Sequence, residues 1–413
     1  MAWIESPEHR AALAEEAERL FAFGARSALP GGGFGYLDEH GLVDPERPVE
    51  LWITCRMTHV FALAALAGRP GAAELVDHGL AALTGIFADA EHGGWFPALD
   101  PVTLAPVSTL KDAYPHAFVI LAASSATAAG RPGAAELLEQ ALATSTERFW
   151  DEHAGMVVES WDREFRELEQ YRGVNANMHT VEAYLAAWGV TRERSWLDRA
   201  LRIVERVVHG FARGNAWRLP EHFDPDWRPL LDYNADSPAH PFRPFGATIG
   251  HWLEWARLTL HARAELLALG EPAPAWMLDD ASGLFDAAVR EGWAVDGAPG
   301  FVYTVGWDGV PVVRERMHWV LCEGLGAAAA LFEVTADERF DAAYRTWWDY
   351  AEQFLIDREG GSWWHELSPA NEVSRTVWGG KADVYHAVQI TFVPRLPLAP
   401  AFAPALAAGL LRA

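Results

Sequence analysis

Two cysteines in 413 residues, Cys55 and Cys322, are too few for a disulfide framework or a cysteine-based zinc site. Basic residues are also scarce: 33 Lys and Arg against 57 Asp and Glu leave a net charge of −24. That balance excludes nucleic-acid phosphates and anionic membrane leaflets as partners, and an anionic ligand would need arginines concentrated locally. No apolar run approaches the roughly 20 residues needed to span a bilayer. The opening, "MAWIESPEHRAALAEEAERLF", lacks the basic start and apolar centre of a secretion signal. A soluble protein of a reducing, cytoplasmic compartment is expected. No Ser/Gly-rich linker divides the chain, so residues 1–413 are read as one domain. "PGGGFG", residues 30–35, has neither a strand before it nor a Lys-Ser/Thr after it, which rules out a phosphate loop.

What the chain does contain is helical periodicity, histidine and tryptophan. Segments such as "PGAAELVDHGLAALTGIF" and "WLDRALRIVERVVHGFA" carry apolar residues at i, i+3, i+4 and i+7. Gly-, Pro- and Trp-rich connectors such as "DAEHGGWFPALD" interrupt them. Six histidines, His59, His116, His179, His251, His318 and His386, each open or lie just inside an apolar helical run, at spacings of 57 to 72 residues. That period fits two helices and two loops repeated about six times. Six helical hairpins closing on themselves give an all-α (α/α)6 barrel, in which equivalent starts of the inner helices converge on one mouth. All six histidines would then face one cavity, although for His59 and His116 a place in the core is an equal reading.

The spacing H-x-x-E recurs at His179 with Glu182 and at His251 with Glu254. Residues three apart share a helix face, so each carboxylate is expected to fix its imidazole's tautomer and raise its basicity, which suits proton transfer. The same spacing occurs in metal-binding bundles, but no H-E-x-x-H and no dense carboxylate cluster accompanies it, so neither a metal nor another cofactor is expected. Twenty tryptophans are an unusual number, and many fall in connectors: Trp95, Trp161, Trp217, Trp227, Trp307, Trp363, Trp364 and Trp378. Sugar rings stack their C–H faces on such side chains, so part of this set is expected to hold carbohydrate and part to fill the core. Arg56 lies three residues before His59 on the same helical face, pointing into the cavity or into a buried ion pair. Arg172 and Arg243 precede the next histidines in loops expected to line the mouth, where either would orient sugar hydroxyls.

At "ELWITCRMTH", "YRGVNANMH", "HWLEWARL", "VRERMHWVLCEG" and "DVYHAVQ" the chain resembles the N-acylglucosamine 2-epimerase superfamily, most closely its aldose–ketose isomerase branch. The likeness extends over essentially the whole chain. It implies an (α/α)6 barrel and a cofactor-free isomerisation through a cis-enediolate, with D-mannose and D-fructose as the expected pair and D-lyxose and D-xylulose as a second. It further implies that His386 is the base shuttling a proton between carbons 2 and 1, and that His251 opens the ring or acts as the partner acid and base. Trp52, Arg56, Asn175, His179, Glu254, Trp319 and Glu323 fall on positions that line the sugar site. His365 stands where sulfosugar isomerases carry glutamine, which turns the expectation away from a sulfonated sugar. Sugar 2-epimerisation on the same histidines, an inverting glycoside hydrolase and a non-enzymatic sugar-binding protein are the rival readings. A hydrolase would need two carboxylates facing each other across the cleft.

Overall fold

The computed structural model describes residues 2–412. Thirteen α-helices organise it: α1 Pro7–Gly24, α2 Leu51–Leu66, α3 Ala72–Thr84, α4 Ala113–Ala128, α5 Ala134–Thr144, α6 Val174–Thr191, α7 Arg194–Val204, α8 Ile249–Ala268, α9 Trp276–Gly292, α10 His318–Thr335, α11 Glu338–Tyr350, α12 Tyr385–Phe392 and α13 Phe402–Ala407. Helices α2, α4, α6, α8, α10 and α12 each pack on the next, and α12 packs on α2, closing an inner ring. Around it lie α3, α5, α7, α9, α11 and α1, each against its inner partner. This is the (α/α)6 barrel.

Composition explains which helix goes where. Every residue of α2 from Leu51 to Ala64 is buried, as a helix apolar on all sides requires. Outer α7 buries only Trp196, Leu197, Ala200, Ile203 and Val204, a stripe at i, i+1, i+4, i+7 and i+8. Two inner-to-outer turns use the same octapeptide, "GRPGAAEL", at residues 68–75 and 130–137. In both, the glycines at its first and fourth positions adopt positive φ, 88° and 78° at Gly68 and Gly71, 65° and 76° at Gly130 and Gly133. A side chain there would be strained, so the repeat specifies the reversal.

The opposite rim is built by two-residue antiparallel strand pairs. Val49–Glu50, Lys111–Asp112, Arg172–Gly173, Ala247–Thr248 and Arg316–Met317 each pair with a later connector and run directly into an inner helix. These pairs fix the starts of α2, α4, α6, α8 and α10 at one level, so side chains in their first turns meet.

Candidate active site

At that rim lies a cavity of about 730 Å³. Its wall combines imidazoles (His179, His251, His318, His365, His386), aromatic rings (Trp52, Tyr114, Phe242, Tyr303, Trp319, Trp378) and Arg56, Asn175, Glu254 and Asp383. Such a mixture, apolar faces with a few convergent polar groups, is what a small-molecule site requires.

His386 is the second residue of α12, and its Nδ1 lies 3.0 Å from Glu323 Oε1. A carboxylate only accepts, so Nδ1–H donates and Nε2 is left with a free lone pair. Burial lowers the His386 pKa below the ordinary imidazole value, partly offset by Glu323. The Glu323 pKa is itself lowered: burial pushes it up, but the Arg257 guanidinium, 2.8 Å away, and His386 outweigh that effect. His251 is held in the same way, with Nδ1 2.9 Å from Glu221 Oε2. Trp319 lies between the two imidazoles, its ring 5.3 Å from that of His251 and 5.8 Å from that of His386.

Glu221, rather than the anticipated Glu254, is thus the carboxylate of His251. A helical side chain leans toward the N-terminus, so His251, third in α8, reaches back to the rim, where Glu221 precedes the strand His222–Phe223. Glu221→Gln is expected to lower kcat on the order of tenfold with little change in KM, because the amide no longer fixes the imidazolium that forms in the transition state. An unchanged kcat would remove Glu221 from the mechanism.

Glu254 sits one turn deeper. Neither carboxylate oxygen has a hydrogen-bond partner, and burial, reinforced by the charge of Glu323, raises its pKa well above the carboxylate range. Both effects favour its protonated form, facing the cavity. His179 lies 3.6 Å from Glu182 and 3.9 Å from Glu254, and burial brings its pKa down to about 4 despite Glu182. The fold thereby brings together three groups, His179, Glu182 and Glu254, that the linear pattern did not present as a ligand set. The donor set suits a cation poorly. Glu182 already accepts from Tyr385 Oη and from Gln389 Nε2, and Arg257 stands 3.6 Å from Glu254.

Arg56 combines both of its anticipated roles. It lines the cavity, and its Nη1 lies 3.3 Å from Asp383 Oδ2 while Nη2 donates to Tyr114 Oη at 3.1 Å. The rings of Trp52, Phe118 and Tyr385 surround the guanidinium at 4.6–4.9 Å. His318 and His365 stack at 3.9 Å; Nδ1 of His318 contacts the His365 carbonyl, and His365 Nε2 donates to the Asp383 carbonyl at 3.1 Å. Burial lowers both pKa values, that of His365 to about 3.

Several expected residues lie elsewhere. His59 occupies the anticipated face of α2 but is its ninth residue, so it sits below the cavity, with Nδ1 2.7 Å from Ser125 Oγ. His116 points away from the mouth: Nδ1–H donates to the Asp112 carbonyl at 2.7 Å and Nε2 accepts from the Trp95 amide at 3.2 Å. Arg243 does not line this cavity. Its guanidinium pairs with both oxygens of Glu169, at 2.9 and 3.1 Å, over the Tyr171 ring, beside an outer vestibule. Arg172 is spent on the carbonyls of Glu169 and Tyr171. Of the eight connector tryptophans only Trp378 reaches the cavity. Trp95, Trp227 and Trp363 are core, with Trp95 and Trp363 donating to Leu83 O and Glu16 Oε1.

The buried imidazoles couple stability to pH. Burial holds His116 and His365 at about 3 and His59, His179 and His261 at about 4. Unfolded, each titrates near about 6.5, so between these values the unfolded chain binds more protons, and stability present above about 6.5 is lost as pH falls toward 4. Thermal melts near pH 7.5 and near pH 5 are expected to differ by several degrees, the acid sample melting first. Equal midpoints would mean that these rings are not held neutral.

A ring of helical hairpins whose rim presents carboxylate-backed imidazoles in an aromatic cavity defines an (α/α)6-barrel isomerase. The N-acylglucosamine 2-epimerase (GlcNAc 2-epimerase) family model matches residues 32–390, and the chain belongs to that family. It is 54% identical over 406 residues to a D-mannose isomerase of Thermobifida fusca, covering 98% of both chains. It is 50% identical over 405 residues to a D-mannose isomerase of Pseudomonas cannabina pv. alisalensis, covering 98% of this chain and 97% of the relative. A crystal structure of a D-mannose isomerase superposes with a TM-score of 0.87 at 28% identity, covering 94% of this chain and 99% of the other. Among the described residues no helix is long and apolar enough to cross a membrane.

Proposed function

We propose that this chain, read as one catalytic domain, interconverts D-mannose and D-fructose, and D-lyxose and D-xylulose alongside, by proton transfer through a cis-enediolate without metal or cofactor. The observation that carries the reading is the pair of cavity imidazoles, His386 and His251, each backed by its own carboxylate. In this reading Nε2 of His386 removes the proton from carbon 2 and returns it to carbon 1. His251 exchanges a proton with the ring oxygen and then with the carbonyl oxygens. Arg56 and the neutral carboxyl of Glu254 donate to the oxygens on which charge develops, where a low local dielectric strengthens the interaction. Trp52, Trp319 and Trp378 hold the sugar faces, Asn175 and His179 hydroxyls, and His365 the far end of the chain; Glu323 acts through His386.

A neutral sugar is favoured over a sulfonated one by the approach to the site. The arginine that lines the vestibule beside the cavity, Arg243, is already neutralised by Glu169. The identities to D-mannose isomerases support the same choice, and the two buried free thiols accord with a reducing, cytoplasmic setting. Incubating EDTA-treated enzyme with D-mannose, D-lyxose and sulfoquinovose separately tests it. Ketose is expected from the first two; turnover of sulfoquinovose alone, or loss of activity on chelation, would overturn it. Epimerised aldose in place of ketose would assign the site to 2-epimerisation.

A further inference from the structure

The barrel holds a second cavity that the isomerisation does not use, at the level of the later turns of the inner helices. Glu182 and Arg257 form its boundary with the catalytic site: each lines this lower cavity and stands 3.6 Å from a residue of the upper one, His179 and Glu254 respectively. The segment Leu398–Ala403, leading into α13, contributes to its wall, and α13 packs on α2, α4 and α6. The wall is mainly hydrocarbon, from Leu121, Leu185, Ala186, Leu258, Phe402 and Ala403.

Into this apolar space the chain places polar atoms that it leaves without partners. Successive turns of α8 bring Arg257, His261 and Glu265 to the wall at a spacing of four, and His59 joins them from α2. Nε2 of His261, Oε1 of Glu265 and Nε2 of His59 have no hydrogen-bond partner, and all three residues are more than nine-tenths buried, whereas Arg257 is turned to Glu323 and Glu254. Their polarity is set by the bonds they do make. His261 Nδ1 donates to the Leu398 carbonyl at 2.7 Å, so Nε2 accepts, and Glu265 Oε2 takes the Trp188 indole N–H at 2.8 Å, leaving Oε1 to accept. A buried acceptor that finds no donor costs roughly 1–3 kcal/mol, which a matching ligand would recover.

We propose that this lower cavity is a second binding site, for a small neutral amphiphile whose paired hydroxyls meet His261 and Glu265 and whose short hydrocarbon body lies against the leucines and Phe402. Each hydroxyl donates one hydrogen bond, so a pair of them matches the two acceptors. An ion would have to leave water for a mostly apolar cavity, which disfavours a charged head.

Saturation-transfer NMR on the whole chain, with hexane-1,2-diol as probe and D-mannose saturating the upper cavity, tests the proposal. Transfer to the diol is expected to persist in the presence of mannose. It is expected to fall by roughly tenfold in Ala186→Phe and in Ala403→Leu, which fill the cavity from opposite sides, with sugar turnover unchanged. No transfer in the unmodified chain, which would mean a cavity holding only water, overturns the site. So does transfer suppressed by mannose, or transfer unaltered in whichever variant retains the native melting transition. The two variants locate the probe independently of what the upper cavity turns over, so failure of the isomerase reading and failure of this site are separable.

Discussion

His386→Asn is expected to lower kcat for D-mannose by roughly 10²–10⁴-fold while KM changes only a few-fold, the signature of a group that acts mainly in the transition state. The reasoning is geometric. Nδ1 is committed to Glu323 at 3.0 Å, so the imidazole presents a single basic nitrogen, and neighbouring Trp319 fixes the slot beside it. Burial keeps the ring neutral at working pH, and a neutral ring is what proton abstraction requires. The amide of asparagine preserves polarity without basicity. Retention of most wild-type turnover would give the proton transfer to another group, with His251 the next candidate.

Glu323→Ala is expected to lower both activity and stability. Glu323 binds His386 with one oxygen and Arg257 with the other, at 3.0 and 2.8 Å, and both partners are buried. Removing it takes away the carboxylate that accepts from Arg257 and from His386, and breaking a buried pair of this kind typically costs about 3–5 kcal/mol. It also removes a group that raises the His386 pKa, so the acid limb of the rate profile should move to lower pH as kcat falls. Glu323→Gln separates the two effects: the amide keeps the volume and part of the hydrogen bonding, so it should recover some stability without recovering kcat. Denaturant unfolding and pH-rate profiles of both variants check this. Wild-type stability in Glu323→Ala would show that Arg257 does not depend on it.

The fold was legible because it repeats. Helical periodicity, a recurring histidine near each inner-helix start and short rim connectors leave few architectures, and the resemblance narrows them to one. Depth and facing were less legible. His59 and His386 look alike as histidines in apolar helices, yet one is ninth in α2 and the other second in α12, a difference of about 10 Å along the axis at 1.5 Å per residue. His116 is two residues beyond cavity-lining Tyr114, which puts it on the opposite side of α4. Glu221 carries no local signal as the partner of His251, because their contact, 30 residues apart, exists only once the rim strands pair. A weak signal did exist for Asp383, three residues before His386 and accepting from both Arg56 and the Tyr385 amide. Arg243 looked free because its partner, Glu169, lies 74 residues away. The connector tryptophans misled for a related reason: a buried indole satisfies its N–H on a carbonyl or carboxylate, and composition alone does not distinguish that from sugar stacking.

The central claim is that a histidine carries the proton between carbons 2 and 1, and proton NMR of the EDTA-treated enzyme with D-mannose in D2O tests it most directly. The account predicts D-fructose with deuterium bonded to carbon 1 in part of the product, because a proton resting on His386 exchanges with solvent before it is returned. Ketose that stays free of carbon-bound deuterium through many turnovers would point to direct hydride transfer and contradict the account.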